Sequence, residues 1–205
     1  MGFYQKYVFP RLIELAMSNA DLVPVRQKVV SGARGVTVEL GIGSGLNLPH
    51  YGSGVTQLFG VEPSPELAAL ARRRAAETGR PVELLQQSAE QRLPLPEASV
   101  DTVVVTWALC SIPDPVQALR EARRVLRREG ELLFVEHGRA DDPRLRRWQD
   151  RLNPLWKVIA GGCNMNRAAD EAIQAAGFRI QELTHQFLPG PKLLTYTYQG
   201  RASVG

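Results

Sequence analysis

The chain is poor in the residues that announce disulfide, redox or metal chemistry: it has two cysteines, Cys110 and Cys163, and three histidines among 205 residues. Two cysteines cannot build a disulfide framework, and neither sits in a C-x-x-C pair of the zinc or redox kind, so no metal is expected. Both read as reduced, buried thiols. Long apolar runs are lacking too. The most apolar stretch, 100–112, is broken by Asp101, Thr102, Thr106 and Ser111 and falls short of the roughly 20 residues that span a bilayer. No integral membrane span is expected. The opening residues carry an early charge at Lys6 and no apolar run ending in a small-residue cleavage site, so no secretory leader is read and the expected location is cytoplasmic. Charge of one sign is scarce as well: the net charge is only +4. Arg72–Arg74 and Arg123–Arg124 read as solvated helix faces. The densest basic cluster, 139–151, is interleaved with Asp141, Asp142 and Asp150, which argues against a nucleic-acid footprint. There is no internal repeat or low-complexity tract.

What is present is a chain of one-domain size with 44% hydrophobic residues, enough for a sizeable core. Between residues 36 and 137 short β-branched runs alternate with amphipathic stretches, a pattern that implies parallel strands joined by crossover helices. Strands are expected at 36–40, 55–61, 82–86, 101–106 and 131–135. A short helical piece is expected near Leu46. A longer helix opens at Ser64-Pro65-Glu66, which supply a cap, a first-turn proline and an acid facing the dipole; Leu67, Leu70, Ala71 and Ala75 should be its buried stripe. Another helix should run from about Pro115 to Leu126 and stop at the turn 127–130, with Gly130 as its terminating glycine. Residues 1–30 read as helical with an apolar face of Tyr4, Tyr7, Val8, Leu12, Leu15 and Ala16. Residues 141–176 read as helical again, followed by strands beginning at 177–180 and over 192–198. The expected fold is α/β: a Rossmann-like open, mostly parallel sheet with helices on both faces and an antiparallel C-terminal edge. It is read as one domain over 1–205, comprising a helical cover at 1–30, a cofactor-binding core at 36–137 and acceptor-side helices and strands at 138–205.

In an open α/β sheet, ligands bind beyond the carboxyl ends of the strands. Chemically distinctive residues cluster there. Glu39-Leu40-Gly41-Ile42-Gly43-Ser44-Gly45 follows strand one, Glu62-Pro63 closes strand two, Ser88-Ala89-Glu90 follows strand three, Thr106-Trp107 ends strand four and Glu136-His137 ends strand five. The glycine spacing is G-x-G-x-G, not the G-x-G-x-x-G that seats a pyrophosphate on a helix N-terminus. Glu62 suits the two hydroxyls of a ribose and would repel a phosphorylated one. Glu39 suits a cationic group. Alternatively, both are ordinary polar strand ends and the glycines merely a turn.

These segments, together with the strand D-T-V-V-V-T and V-L-R-R-E-G-E-L-L-F-V-E-H, resemble class I S-adenosylmethionine-dependent methyltransferases. G-S-G-L-N at 43–47, W-A-L-C-S-I at 107–112, Glu136-His137 and G-G-C-N-M-N-R at 161–167 look like the methyltransferase-like proteins that methylate alkyl thiols. The resemblance implies S-adenosyl-L-methionine as cofactor, held by Glu39, Gly41, Gly43, Gly45, Asn47, Glu62, Pro63, Ser88, Ala89, Glu90, Thr106 and Trp107. One departure lies at Ser88, where many relatives carry an aspartate that accepts from the adenine amino group; Ser88 or the Ala89 backbone would take over.

Methyl transfer is an in-line displacement that needs alignment and exclusion of water more than covalent catalysis. The expected partner is a small-molecule methyl acceptor, and oligomeric state is not legible. Tyr4, Tyr7, Trp107, Trp156 and Phe187 are candidates to line the acceptor pocket, with Cys163 and Asn164 shaping it; each aromatic also reads as simple core. His137 is the candidate catalytic base, since its ordinary pKa near 6.5 allows it to take a proton at neutrality. A structural histidine is the alternative. An alkyl thiol is the expected acceptor, with N-, O- or C-methylation of a metabolite, lipid head group or quinone precursor as the alternative. Arsenite methylation would call for more cysteines, and nucleic-acid methylation for an N-P-P-Y-like segment after Thr106. A non-catalytic S-adenosylmethionine-binding regulator would keep the cofactor residues without an acceptor pocket.

Overall fold

The structure, a computed structural model, describes residues 8–205; the candidate lining residues Tyr4 and Tyr7 lie outside them. Seven strands form one sheet: β1 (Gly35–Leu40), β2 (Val55–Val61), β3 (Glu83–Leu85), β4 (Val100–Thr106), β5 (Leu126–His137), β6 (Arg179–Phe187) and β7 (Tyr196–Ser203). Their order is β3-β2-β1-β4-β5-β7-β6. The first five are parallel, and β7 runs antiparallel between β5 and β6. The order reverses between β1 and β4, and the crevice at such a switch point is where this architecture binds ligands.

Alternation along the central strands sorts side chains onto two faces. Val103, Val105, Leu132 and Phe134 pack with Ala118, Leu119 and Ala122 of α4 (Pro115–Val125) and with Ile173 of α6 (Ala169–Ala175). Val104, Leu133 and Val135 pack on the opposite face with Val29 and Val30 of α2 (Val23–Val30). Central strands buried on both faces account for the apolar run Val103-Val104-Val105 of β4. Each fully buried Leu, Ile or Phe contributes about 1.5–3 kcal/mol. Along α3 (Pro65–Thr78), capped by Ser64, the buried residues are Ala68 and Ala71. Leu70, expected to be buried, is 38% exposed. The small inner face has a cause: the Ala71 Cα lies 3.2 Å from where a Cβ on Gly45 would stand, so this helix packs directly on the glycine turn.

Three expectations are corrected. Residues 127–130 are not a helix-ending turn but the start of β5, and Gly130 terminates no helix. Val100 pairs with Leu126 and Thr102 with Glu131, so five residues on β5 answer two steps of β4, and the surplus bulges while Arg127 pairs with Asp101. Residues Lys192–Thr195 form a helical turn, α7, rather than strand, with the Leu194 amide donating to the Pro191 carbonyl; β7 starts only at Tyr196. It also runs on through Gly200, where a Cβ would stand 2.0 Å from the Glu182 carbonyl oxygen. Finally, the apolar face of α1 (Phe9–Met17) is not a buried stripe, since Leu12 is 50% and Leu15 74% exposed. Glu14 instead ties α1 to Arg74 of α3 at 2.7 Å.

A buried polar side chain helps to fix α5 (Pro143–Ile159) over the end of β5. Gln149, fully buried, accepts from the Ala140 amide at 2.9 Å and donates to the Gly138 and Leu193 carbonyls, both at 3.0 Å. Gln149→Leu keeps the volume but orphans three buried backbone groups. It should lower unfolding free energy by about 2–4 kcal/mol in urea titrations; a change within 0.5 kcal/mol, the spread of roughly neutral surface substitutions, would show that α5 is held by other contacts.

Candidate active site

The carboxyl end of β1 delivers Glu39 into the interior, and the chain must then turn beneath the loop that follows β4. A Cβ on Gly41 would stand 2.5 Å from the Ala108 Cβ, and Gly41 adopts a φ of +68°. Both constraints select glycine. Gly43, at φ +56°, aims its amide at Glu62 Oε2 (3.1 Å), while the Ser64 amide donates to Oε1 at 2.8 Å. Burial raises the pKa of Glu62 and these two amides oppose the rise. A Cβ on Gly43 would meet nothing closer than 4.0 Å. Bare backbone therefore faces open space beside a carboxylate, a cradle for a ligand that carries hydroxyls and no phosphate.

Glu39 is 1% exposed and fully engaged. Its Oε1 accepts from Asn47 Nδ2 at 2.6 Å and its Oε2 from the Tyr51 hydroxyl at 2.8 Å. Asn47 also donates to Thr106 Oγ1 at 2.9 Å and accepts from Arg26 at 2.9 Å. The Arg26 guanidinium lies 4.8 Å from the centroid of the Trp107 ring. Burial lifts the Glu39 carboxyl to about 7, against the hydrogen bonds from Tyr51 and Asn47 and the nearby Arg26 charge. Burial also pulls Arg26 down to about 10, which leaves it charged at neutrality. Such an enclosed acid is poised to gain from a ligand cation.

After β3, the Ser88 hydroxyl donates to Glu90 Oε2 at 2.9 Å, and Glu90 Oε1 accepts from the Asp114 amide at 2.7 Å. Ser88 is thus spent within its own loop and Glu90 on the cap of α4, Ala89 is buried, and Pro63 is exposed.

At the ends of β4 and β5 the groups change character. Trp107 sits at φ +50° with its amide donating to the Val135 carbonyl at 2.8 Å, a strained backbone of the kind that accumulates at functional sites. Glu136, wholly buried, uses Oε1 to accept the Ala108 and Leu109 amides at 2.7 and 3.0 Å. Its Oε2 has no partner among the described residues, and burial raises it to about 7. His137 Nε2 contacts Cys163 Sγ at 2.8 Å. Burial disfavours the charged imidazole, but Cys163 and Glu136 outweigh it and raise its pKa. The hydrogen bond with Cys110, then burial, pushes the Cys163 thiol well up. Asn164 binds the Cys110 carbonyl through both its amide (2.9 Å) and Nδ2 (3.0 Å). Arg167 holds the Leu109 carbonyl at 2.7 Å and the Pro113 carbonyl at 3.1 Å. A cavity of about 130 Å³ lies here, bordered by Cys110, Glu136, His137 and Arg167.

The structure brings Glu39, Asn47 and Thr106 into one hydrogen-bonded network and joins Glu62 to the glycine turn. It groups His137 with Cys163 and staples Asn164 beside them. Phe187 does not join this group: it lies on the outer strand β6, 45% exposed, with its ring 5.1 Å from Tyr196. Trp156 is half-buried on α5, its indole Nε1 buried without a partner among the described residues. Arg26, Tyr51, Arg74 and Cys110 were missed as site residues. Neither Arg26, which shares the segment Val23–Val30 with Lys28, nor Tyr51 has a legible signal, because only the fold brings them to Asn47 and Glu39.

The reversal of strand order and the carboxylates at its edge define a Rossmann-like domain that binds a cationic, phosphate-free cofactor. A family profile described as "Methyltransferase domain" matches residues 38–134. The thiol S-methyltransferase TMT1A of Homo sapiens is 32% identical over 154 residues, covering 72% of this chain and 62% of the relative. The phosphatidylethanolamine N-methyltransferase of Cereibacter sphaeroides is 36% identical over 109 residues, 53% of each chain. A putative methyltransferase from Haloferax volcanii, solved with the Trm112 activator, superposes with a TM-score of 0.72 over 98% of this chain and 96% of the other, at 20% identity. The chain belongs to the class I S-adenosylmethionine-dependent methyltransferases. It spans about 62% of the length of the human TMT1A and rat TMT1B relatives it matches.

The Glu39 carboxyl yields a signed pH test on the unliganded protein. A folded-state pKa of about 7, raised above the unfolded value, gives a stability contribution fully present below about pH 4.3 and lost as pH rises through 7. Glu39→Gln can still accept from Asn47 and donate to the Tyr51 oxygen. Its stability relative to the parent should rise by on the order of 3 kcal/mol between pH 5 and pH 8. Urea unfolding at the two pH values measures this, and an unchanged difference would mean that Glu39 is not the buried acid described.

Proposed function

We propose that this chain transfers a methyl group from S-adenosylmethionine to a small molecule, and that the acceptor is an alkyl thiol. When bound, the cofactor supplies an electrophilic methyl group on a sulfonium. The side chains that would hold it fit its chemistry: Glu39 and Asn47, with the amides of Gly41, Gly43 and Gly45, suit the zwitterionic end, and Glu62 suits the ribose hydroxyls. The segment Ser88–Glu90 would meet adenine through the Ala89 backbone, since the Ser88 and Glu90 side chains are engaged elsewhere, with Pro63 at the edge and Thr106 and Trp107 toward the reacting end. Residues 8–30 act as a cover that excludes water, tied down by Arg26 on Asn47 and by Glu14 on Arg74.

The observation that carries the acceptor reading is the commitment of His137 Nε2 to Cys163 and of Glu136 Oε1 to two backbone amides, which leaves only the buried His137 Nδ1 and Glu136 Oε2 without partners among the described residues. An acceptor that ionises readily asks least of these groups. A thiol with a pKa near 8.5 is already a few per cent thiolate at neutrality, whereas an amine or phenol depends more on a positioned base. The thiol S-methyltransferase relative supports the same choice. The phosphatidylethanolamine relative favours a second reading, N-methylation of a lipid head group.

Loss of the carboxylate in Glu62→Ala should weaken S-adenosylmethionine binding roughly ten- to a hundred-fold in calorimetry; equal affinity would remove Glu62 from the ribose site. Labelled cofactor offered with matched alkyl thiol, amine and phenol acceptors should label the thiol, faster as pH rises toward 8.5. If the amine or phenol is labelled and the thiol is inert, the thiol reading fails while methyl transfer stands.

A further inference from the structure

Cys110, His137 and Cys163 come from three separate places: the loop after β4, the end of β5 and the loop between α5 and α6. Their ligand-capable atoms nonetheless lie within 4.8 Å of one another. With neighbours 27 and 26 positions apart along the chain, no linear spacing announces them. Both sulfurs belong to buried residues and neither is in a disulfide. The loops are held rigidly: Asn164 takes the Cys110 carbonyl twice and receives Asn153 Nδ2 at 3.2 Å, while Arg167 clamps the carbonyls on either side of Cys110. Ligands fixed by supporting hydrogen bonds in this way are what a metal site needs.

Hydrogen bonds link the three groups in pairs, Cys163 with His137 and with Cys110, and a shared ion would engage all three at once. Two thiolates and an imidazole suit zinc, which is tetrahedral and, with three protein ligands, keeps a fourth position for water or substrate. The cavity bordered by Cys110 and His137 gives that position room. Beside it, His137 Nδ1 and Glu136 Oε2 are buried without partners among the described residues, so polar capacity remains for the ligand shell. None of the three ligands belongs to the Glu39–Glu62 half of the site.

We propose that Cys110, His137 and Cys163 bind one zinc ion whose fourth position receives the sulfur of the acceptor thiol. The inference rests on the thiol reading above. Binding releases one proton from each cysteine, and the incoming thiol loses its proton to solvent. Its sulfur lone pair then forms the new S–CH3 bond as the donor's S–CH3 bond breaks, and zinc remains divalent throughout. The neutral thioether is a poorer ligand than the thiolate and leaves.

The test uses the full chain without a polyhistidine tag, stripped with a chelator and reloaded with zinc or cobalt(II) chloride alone. Retention of about one zinc per chain through gel filtration is expected, with a tetrahedral cobalt spectrum carrying sulfur-to-metal charge-transfer bands. Cys110→Ser, Cys163→Ser and His137→Ala should each lower metal affinity roughly ten-fold or more, while calorimetric binding of S-adenosylmethionine shows that the variants are folded. A small alkyl thiol should shift the cobalt bands and a matched amine should not. The proposal is overturned if no zinc is retained, if retention is indifferent to the cysteines, or if mass spectrometry shows a Cys110–Cys163 disulfide in place of the metal. Full-rate thiol methylation by stripped protein sinks the zinc site and leaves the thiol reading intact. Cysteine-dependent zinc with a cobalt spectrum unmoved by thiols, and labelling of amines alone, sinks the thiol reading and with it the role of the fourth position.

Discussion

One buried carboxylate organises this molecule. Burying a lone charge costs several kcal/mol unless it is paired and hydrogen-bonded, and Glu39 is only 1% exposed. Its demands draw in Asn47 and Tyr51 from the segment after the glycine turn, Thr106 from β4 through Asn47, and Arg26 from α2 through the same amide. Three separate stretches of chain thus converge on the end of β1. The carboxyl is still lifted to about 7, so protein partners alone do not meet the full cost. A bound cation would supply the remainder, and ligand binding and stabilisation of this corner become the same event.

The same device recurs along the sheet edge with a different outcome each time. Glu62 at the end of β2 gathers the Gly43 and Ser64 amides, and Glu136 at the end of β5 gathers those of Ala108 and Leu109. A carboxylate can accept several hydrogen bonds at once, so each acid shapes a loop and still has capacity turned toward a ligand. Glu136 does so next to a histidine and two thiols, where Glu39 and Glu62 have glycine backbone. The edge therefore divides into a half chemically suited to a polar, cationic cofactor and a half suited to a soft nucleophile.

How much of this was legible follows from how local each signal is. The strands β1, β2 and β4 and the start of α3 are written in contiguous residues: a β-branched run, a glycine cluster, Ser64-Pro65-Glu66. The bulge at 127–130 was not, because Arg127-Arg128-Glu129-Gly130 has the composition of a turn and only its pairing against Asp101 and Thr102 extends it. Strand β7 was misplaced because Gln199-Gly200-Arg201 lacks apolar alternation; its place between β5 and β6, with Gly200 against the Glu182 carbonyl, is a tertiary fact. Within the site, Glu39 and Glu62 announce themselves by following strands. Arg26, Tyr51 and the Cys110–His137–Cys163 grouping depend on contacts between distant segments, which no spacing rule encodes.

Two arginines carry the argument one step further. Arg74 of α3 donates to the Ser44 carbonyl inside the glycine turn and to Glu14 of α1. Arg26 of α2 donates to Asn47 just beyond that turn, to the Met17 carbonyl at the end of α1, and stacks on Trp107. The exposed Leu12 and Leu15 show that α1 is not held by its apolar face. Its attachment is instead polar and passes through the elements that shape the cofactor cradle. Multidentate guanidinium contacts of this kind fix geometry as well as energy. Displacing α1 would release Arg74 from Glu14 and Arg26 from Met17, slackening the grip on the turn and on Asn47. α1, α2 and the glycine turn are therefore mechanically linked, and the hold on Ser44 and Asn47 depends on where α1 sits.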